Sequence, residues 1–529
     1  MSIYSLVFLL FELATTQPAT MFSSLMFPVL FALLFTTHII WRRFSSIRTL
    51  RSLPGPALTH WIWGNEMELH SSLPGETYAY WSKIYGQVFK FWGVFGTQVI
   101  CVTDRVAVAQ ILASERFRFP KPAGARAWFK SISGKGILYV EDKEEHARQR
   151  KMIAPAMNFQ ATKAITPKLF DCAKELADSW ELCTKTDADS VAEIDAAWWA
   201  TRYSLDTIGK AGFSWNLSSM TKGHHLAATL DSLTNTEGGF AAFAMRALVW
   251  AFPSVLQIPS AKGKMIQEAR LQLRNVSQKL WNDSKNMDKD GDKSLLTLMQ
   301  EADDLDDEQA VTHMATLISA AFETVSASIS WVLYEIAQHP EIQEKLREEV
   351  STDEDPDFDT LHSKFPLLDA VYKETLRLHS PVLELHHVSS KTQTLRLGAP
   401  LQGSTKNEIL VPKGTVLVVP VSVIQTDPEV WGPDAEHWKP ERWLGKRDQD
   451  LHGKADFLAF SMGPRVCPGR LFAEAEIKAS CLINVLIIVL LRMFSFECVQ
   501  PIEPFQSFVV RTKVVGDKTS SLPLKIKRL

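Results

Sequence analysis

The stretch Phe460-Ser461-Met462-Gly463-Pro464-Arg465-Val466-Cys467-Pro468-Gly469-Arg470 constrains this chain more than any other. Gly463 and Gly469 carry no Cβ, so the backbone can pass close to something flat and bulky. Pro464 and Pro468 stiffen the loop, and Phe460 can wall off one side of the sulfur. An apolar helical pattern with Leu471, Phe472, Ala475 and Ile477 opens directly afterwards. Cys467 therefore stands at a helix N-terminus, where unsatisfied N–H groups and the macrodipole favour a thiolate. Arg465 places a cation two residues from that sulfur, suited to a carboxylate on the same ligand.

A lone thiolate with such clearance, an aromatic shield and a cation suits a haem iron. Zinc would want further Cys or His close by. The bland alternative is a buried Cys acting as a small hydrophobe, which is how an isolated Cys would be read.

Composition sets the outer limits. Hydrophobic residues make up 46% of the 529 and charged residues 22%, which excludes disorder or a low-complexity fibre as the main architecture. At roughly 150 residues per domain, three or four domains would fit, yet no seam in the composition divides the chain. With 57 Lys+Arg against 60 Asp+Glu the net charge is −3, which argues against a dedicated nucleic-acid binder. Six cysteines are too few for a disulfide scaffold and indicate a reducing compartment. No internal repeat, G-x-G-x-x-G, P-loop or G-x-S-x-G occurs, so no nucleotide- or flavin-binding module is visible.

Residues 21–41 contain no Asp, Glu, Lys or Arg. As a helix they would span about 31 Å, enough to cross a bilayer core, and Pro28 is tolerated in such a span. Arg42, Arg43, Arg48 and Arg51 follow at once and place the C-terminal side in the cytosol. A cleaved signal peptide would need a basic n-region, but no Lys or Arg precedes Arg42. A second apolar run at residues 3–11 either dips into the membrane or precedes a start at Met21. The expected organisation is an anchor over 1–41, a basic and proline-rich linker over 42–58, and one domain over 59–529. With that body cytosolic, the sequons at Asn216, Asn275 and Asn282 stay unmodified.

Leu53-Pro54-Gly55-Pro56 is a stiff turn that orients the body. From there to about residue 380 the pattern is mostly helical. Strands are predicted at Val88–Trp92, Gln98–Val102, Thr415–Pro420 and Phe508–Val514. The acidic stretch Asp303–Glu308 predicts the start of a long helix over Gln309–Gln338, stopping at Pro340. Asp288-x-Asp290-x-Asp292 is read as a solvated loop, since its Gly291 and closing Glu are misplaced for calcium. Cys481–Leu491 is too short to span a bilayer and reads as a buried core helix.

The complete pattern F-x-x-G-x-R-x-C-x-G resembles the haem-binding loop of the cytochrome P450 superfamily, and the resemblance covers roughly residues 53–515. It implies a mainly α fold with a small β region, and thiolate-ligated iron protoporphyrin held by Cys467. Within the long helix, Leu317, Ala320, Ala321 and Thr324 share one face. Two alanines allow close approach, and a Thr hydroxyl can bond the carbonyl four residues back. Small residues at a helix crossing would explain the alanines as well. Ala320-Ala321-Phe322-Glu323-Thr324 is similar to the family's oxygen-activating motif, in which the acid and the Thr deliver protons. It departs from the family at Ala321, usually Gly, and at Val325, commonly a second Thr.

Glu374-x-x-Arg377 puts a carboxylate and a guanidinium one helical turn apart, as do Glu115/Arg118, Glu145/Arg148 and Glu344/Arg347. Its flank and the later Pro440-Glu441-Arg442-Trp443 resemble the family's structural ion-pair motif, completed by Arg442. His146 and Arg150 match positions where the family pairs a ring donor and an Arg with a haem propionate. A solvated basic helix face, with Lys143, Arg148 and Lys151, explains His146 equally well. His387 stands where the family usually places another propionate Arg, and a neutral His is the weaker anchor.

The resemblance implies a membrane-anchored monooxygenase, single-pass in the endoplasmic reticulum, that inserts one atom of dioxygen into a lipophilic substrate. Electrons would come from a separate NADPH-dependent flavin reductase, docking on Lys439, Arg442, Lys446, Arg447 and Arg470. Stretches resembling the family's substrate-contacting regions are Phe117–Lys130, Leu317–Thr324, Val382–His387 and Pro504–Phe508, rich in Phe, Trp and Leu. The overall likeness is to fungal members, whose substrates include terpenoids and other secondary metabolites. Two other classes remain: a haem-thiolate isomerase or dehydratase that needs no reductase, and a non-catalytic membrane haem or lipid binder. The Glu323-Thr324 pair argues against both.

Overall fold

The computed structural model describes residues 37, 50, 52–185, 190–235, 238–285, 295–300, 305–351, 354–444, 455–470 and 481–529. The anchor, most of the linker, the Asp288–Asp292 stretch and the helix expected after Arg470 lie outside them. The body is mostly helical with a small β region.

The helices that position the site are α1 (Lys143–Ile153), α2 (Phe159–Thr184), α3 (Ala196–Thr207), α4 (His225–Thr234), α5 (Ala261–Ser284), α6 (Asp307–Gln338), α7 (Pro366–Leu378) and α8 (Cys481–Met493). Side-chain caps start several of them. Asp142 accepts from the N–H groups of Glu144 and Glu145, Asn158 from Ala161, and Asp306 from Gln309. Asp307 and Glu308 then face the positive end of α6. That helix stops at His339, because Pro340 cannot continue it and instead opens the next helix. By length and apolarity α6 could cross a membrane, but 78% of its apolar window is buried inside the protein, so it is the central core helix. It packs against α3, α5 and α7, while α8 packs against α2.

Strands β1 (Val88–Trp92), β2 (Gln98–Val102), β3 (Val191–Asp195), β4 (Glu384–Val388), β5 (Gln393–Arg396), β6 (Glu408–Val411), β7 (Val416–Pro420), β8 (Phe494–Cys498), β9 (Ile502–Gln506), β10 (Val510–Val514) and β11 (Pro523–Arg528) form four small sheets. The largest runs β1-β2-β7-β4, with β2 and β7 parallel and the outer pairs antiparallel. A second runs β3-β11-β8, and β9–β10 and β5–β6 are hairpins. The strands expected at Val88–Trp92 and Gln98–Val102 form as read. Those expected from Thr415 and Phe508 begin at Val416 and Val510.

The main core gathers α2, α3, α6, α7 and α8, and α8 contributes an unbroken buried run from Leu482 to Leu491. Each such Leu, Ile or Val contributes about 1.5–3 kcal/mol on burial. A smaller core lies under the first sheet and includes Leu50 and Leu53. Beside it the Pro54 carbonyl accepts from the Lys90 N–H at 2.9 Å. A Cβ on Gly55 would fall 1.8 Å from the Lys90 carbonyl oxygen, so only glycine lets the linker turn lie against β1.

Candidate active site

The Cys467 loop is built by two turns. Gly463–Arg465 forms a single 3₁₀ turn, with the Val466 N–H donating to the Gly463 carbonyl at 3.0 Å. The Cys467 N–H donates to the Phe460 carbonyl at 2.9 Å, which closes the loop around the thiol. Gly463 sits at φ +72°, and a Cβ there would lie 2.5 Å from the Leu112 carbonyl oxygen and 2.6 Å from the Ala113 Cα. Gly463 thus makes room for the Gln110–Ser114 turn, the neighbour against which the loop is braced. At Gly469 a Cβ would meet the Cys467 sulfur at an ordinary 3.8 Å.

A cluster of cations surrounds one carboxylate beside this loop. Glu141 lies 3.1 Å from Lys121, 3.1 Å from Arg465 and 3.6 Å from Arg116. Burial alone would raise the Glu141 carboxyl, but Lys121, Arg465 and Arg116 together hold it below its usual range. Burial pushes the Lys121 ammonium down to about 8 and the Arg116 guanidinium down to about 10, because neither cation is well hydrated. Arg465 also donates to the Val140 carbonyl, while its Nε is buried and has no hydrogen-bond partner among the described residues.

The two histidines join the same cluster. His146 is buried on α1 rather than on a solvated face, which overturns that alternative. Burial, then Arg465, Arg150 and Lys121, drive its imidazole down to about 4, so it is neutral near pH 7. Lys143 and Lys151 do lie on the exposed face. His387 donates from Nδ1 to the Phe119 carbonyl at 3.0 Å, and its buried Nε2 has no hydrogen-bond partner among the described residues. Burial and then Arg116 keep its imidazole well below the usual range. Arg150 donates to the Val466 carbonyl, and the Cys467 sulfur is close enough to support its charge.

Arg116, Lys121 and Glu141 escaped the sequence reading. They arrive from two segments with no spacing pattern, and only the tertiary fold brings them together. Among the described residues, three cations around one carboxylate leave a surplus of two positive charges, and two buried nitrogens lack partners. A haem with two propionates fits that imbalance.

On α6, the Thr324 hydroxyl donates to the Ala320 carbonyl at 2.9 Å, as the sequence suggested. The Ser204 hydroxyl donates to the Phe322 carbonyl at 3.2 Å, tying α3 to the same turn. Glu323 is buried, and its Oε1 lies 3.7 Å from Arg511 of β10. Burial raises its carboxyl above the usual range, although Arg511 opposes the shift.

Several of the apolar stretches read from the sequence meet one another. Phe508 stacks on Trp128 with ring centroids 6.1 Å apart, and the Val388 N–H donates to the Pro120 carbonyl. Sequence reading missed Trp250, which meets His386 at 4.9 Å and crowds Gly124. Only the tertiary fold brings its helix, Phe240–Ala251, over the others.

Glu374 and Arg377 on α7 pair at 2.7 Å with no solvent exposure. Glu374 also accepts from Arg442 at 3.2 Å, from the Trp443 indole at 2.9 Å and from the Lys439 N–H at 2.9 Å. Arg377 caps the carbonyls of Gln425 and Ala435. Arg442 is consumed by this buried cluster and by Asp434, which corrects its expected place in a surface docking patch. Lys439 and Arg470 are on the surface side, and Lys446 and Arg447 lie outside the described residues.

A family model described as cytochrome P450 matches residues 54–515. Among curated relatives, the cytochrome P450 monooxygenases claQ and claO of Ampulloclitocybe clavipes are each 32% identical over 90% of this chain and 93% of their own. Cytochrome P450 monooxygenase 205 of Postia placenta is 31% identical, with the same coverage.

Proposed function

The chain belongs to the cytochrome P450 family, and from that membership we propose the following assignment of its residues, partner and membrane setting. The family is one of monooxygenases that hold haem through a cysteine thiolate, draw electrons from a redox partner and act on lipophilic substrates. Haem, when bound, supplies the iron at which dioxygen is reduced and one of its atoms is transferred. Cys467 is the thiolate ligand. Arg116, Lys121, Arg465, Arg150, His146 and His387 hold the propionates, the cations by charge and the neutral histidines by hydrogen bonds.

Thr324 and Glu323, side by side on α6, would hold and move protons there. Glu374, Arg377 and Arg442 keep the scaffold under the loop rigid and touch no substrate. Residues around Trp128, Trp250, His386 and Phe508 exclude water and orient an apolar substrate. Electrons come from an NADPH-dependent flavin reductase that approaches Lys439 and Arg470. Residues 1–41 anchor the protein in the endoplasmic reticulum membrane with residues 59–529 on the cytosolic side. Fungal relatives support a role in secondary metabolism, terpenoids among the candidate substrates.

The observation that carries the site assignment is the buried surplus of positive charge beside the Cys467 loop. The test is the spectrum of the reduced, carbon monoxide-bound protein. Cys467→Ala is expected to lose the thiolate signature, and an unchanged spectrum sinks the ligand assignment. Product formed only with reductase and NADPH supports oxygen insertion. Turnover without them would favour an isomerase.

A further inference from the structure

Glu323 is the inner end of a polar file that runs toward the surface. Arg511 is buried, and its strand is held to α6 because the Trp331 indole donates to the Val510 carbonyl at 3.2 Å. From that fixed point Arg511 donates to the Thr234 hydroxyl at 3.3 Å and reaches Glu323 at 3.7 Å. Asp231, one turn before Thr234 on α4, pairs with Arg202 of α3 at 3.2 Å. The Arg202 guanidinium lies over the Trp198 ring at 3.7 Å.

Arg202, Asp231, Asn235, Arg511 and Ser520 line one cavity of about 30 Å³, with Trp198 at its rim and 41% exposed. That is room for one or two waters among polar partners. Arg511 thus faces this cavity and Glu323 at once. The Glu323 Oε1 is buried and has no hydrogen-bond partner among the described residues.

Among the described residues, the charged groups around the file are Arg202, Arg511, Asp195, Asp231 and Glu323. Burial raises both the Asp231 and the Glu323 carboxyls, against the pull of the arginines. Asp231 raises Glu323 further, so a proton on one carboxyl favours ionisation of the other.

We propose that Asp231, with Arg511 and the cavity water, is the proton supply of Glu323. This rests on the proton role given to Glu323 above. A proton leaves the Asp231 carboxyl for a water in the cavity, and a proton passes on through the Thr234 hydroxyl, which is hydrogen-bonded to Glu323 and accepts from Arg511, to the Glu323 carboxylate. Asp231 is then reprotonated from solvent beside Trp198 and Arg202. No electrons move. Asp231 acts through Glu323 and is a positioning residue.

The test uses the full-length holoprotein at rest, transferred to D₂O, with the carboxyl stretch of protonated Glu323 followed by infrared spectroscopy. Loss of that band in Glu323→Gln assigns it. Asp231→Asn is expected to slow its exchange at least tenfold, and Asp231→Glu to restore the rate. Wild-type exchange in Asp231→Asn, or slow exchange in both variants, overturns the proposal.

Arg202→Gln leaves Asp231 in place but removes a cation, so the pH dependence of exchange is expected to move upward. An unmoved profile also overturns the proposal. Exchange that depends on Asp231 in a protein lacking NADPH-driven oxygenation would sink the monooxygenase reading and leave the proton path standing.

Discussion

Thr324 donates its hydroxyl proton to the Ala320 carbonyl, so the oxygen keeps its lone pairs for an incoming water. Glu323 beside it is buried with its carboxyl raised, a condition for holding a proton near neutrality. Removing the hydroxyl in Thr324→Ala takes away the ordering group and leaves the helix intact. Folding, haem content and substrate affinity are expected to stay nearly unchanged. Product formed per NADPH consumed should fall by about 10²-fold or less, with hydrogen peroxide rising in step. Full coupling in the mutant would mean that protons arrive by another route. The sequence placed Thr324 and Glu323 on adjacent positions of one helix. It gave no sign that β10 supplies Arg511 to Glu323, because that contact joins residues far apart in the chain.

The Cys467 loop and the Glu374 cluster show what an element owes to its neighbours. Four Glu-x-x-Arg pairs have the same spacing in the sequence, and all four do pair: Glu115/Arg118 and Glu145/Arg148 at 2.8 and 2.7 Å, Glu344/Arg347 in contact, and Glu374/Arg377 at 2.7 Å. Spacing sets the pair, but only Glu374/Arg377 is sealed from solvent, where an unpaired partner is costly. For the loop, Gly463→Ala forces a side chain into left-handed backbone and onto the Leu112 carbonyl. The expected loss is roughly 2–5 kcal/mol, read as a lower denaturation midpoint with less thiolate-bound haem. Gly469→Ala serves as the comparison, since its Cβ makes only an ordinary contact with the sulfur. Equal losses in the two variants would refute the bracing role of Gly463.

Over the whole molecule, Leu50 and Leu53 are already buried in the core under the first sheet, and Pro54 is bonded to β1. Among the described residues the packing of the body thus includes the chain from Leu50 onward. Deleting residues 1–41 is expected to leave the haem site intact and to weaken membrane association, measured by fractionation. A truncated protein that sediments with membranes as tightly as the full chain would refute the anchor. The sequence by itself determined the mainly α class, the Cys467 loop and the long central helix, because each is written in local spacing, turn residues or apolar period, while the Glu374/Arg377/Arg442 set was implied only by the family resemblance of its flanks. Only the tertiary structure decided which charges face one another. Glu141 among Arg116, Lys121 and Arg465, and Arg511 between Asp231 and Glu323, are set by non-local packing of loops, helices and a strand edge. No periodicity records that, and burial is what makes those few ionic contacts strong enough to matter.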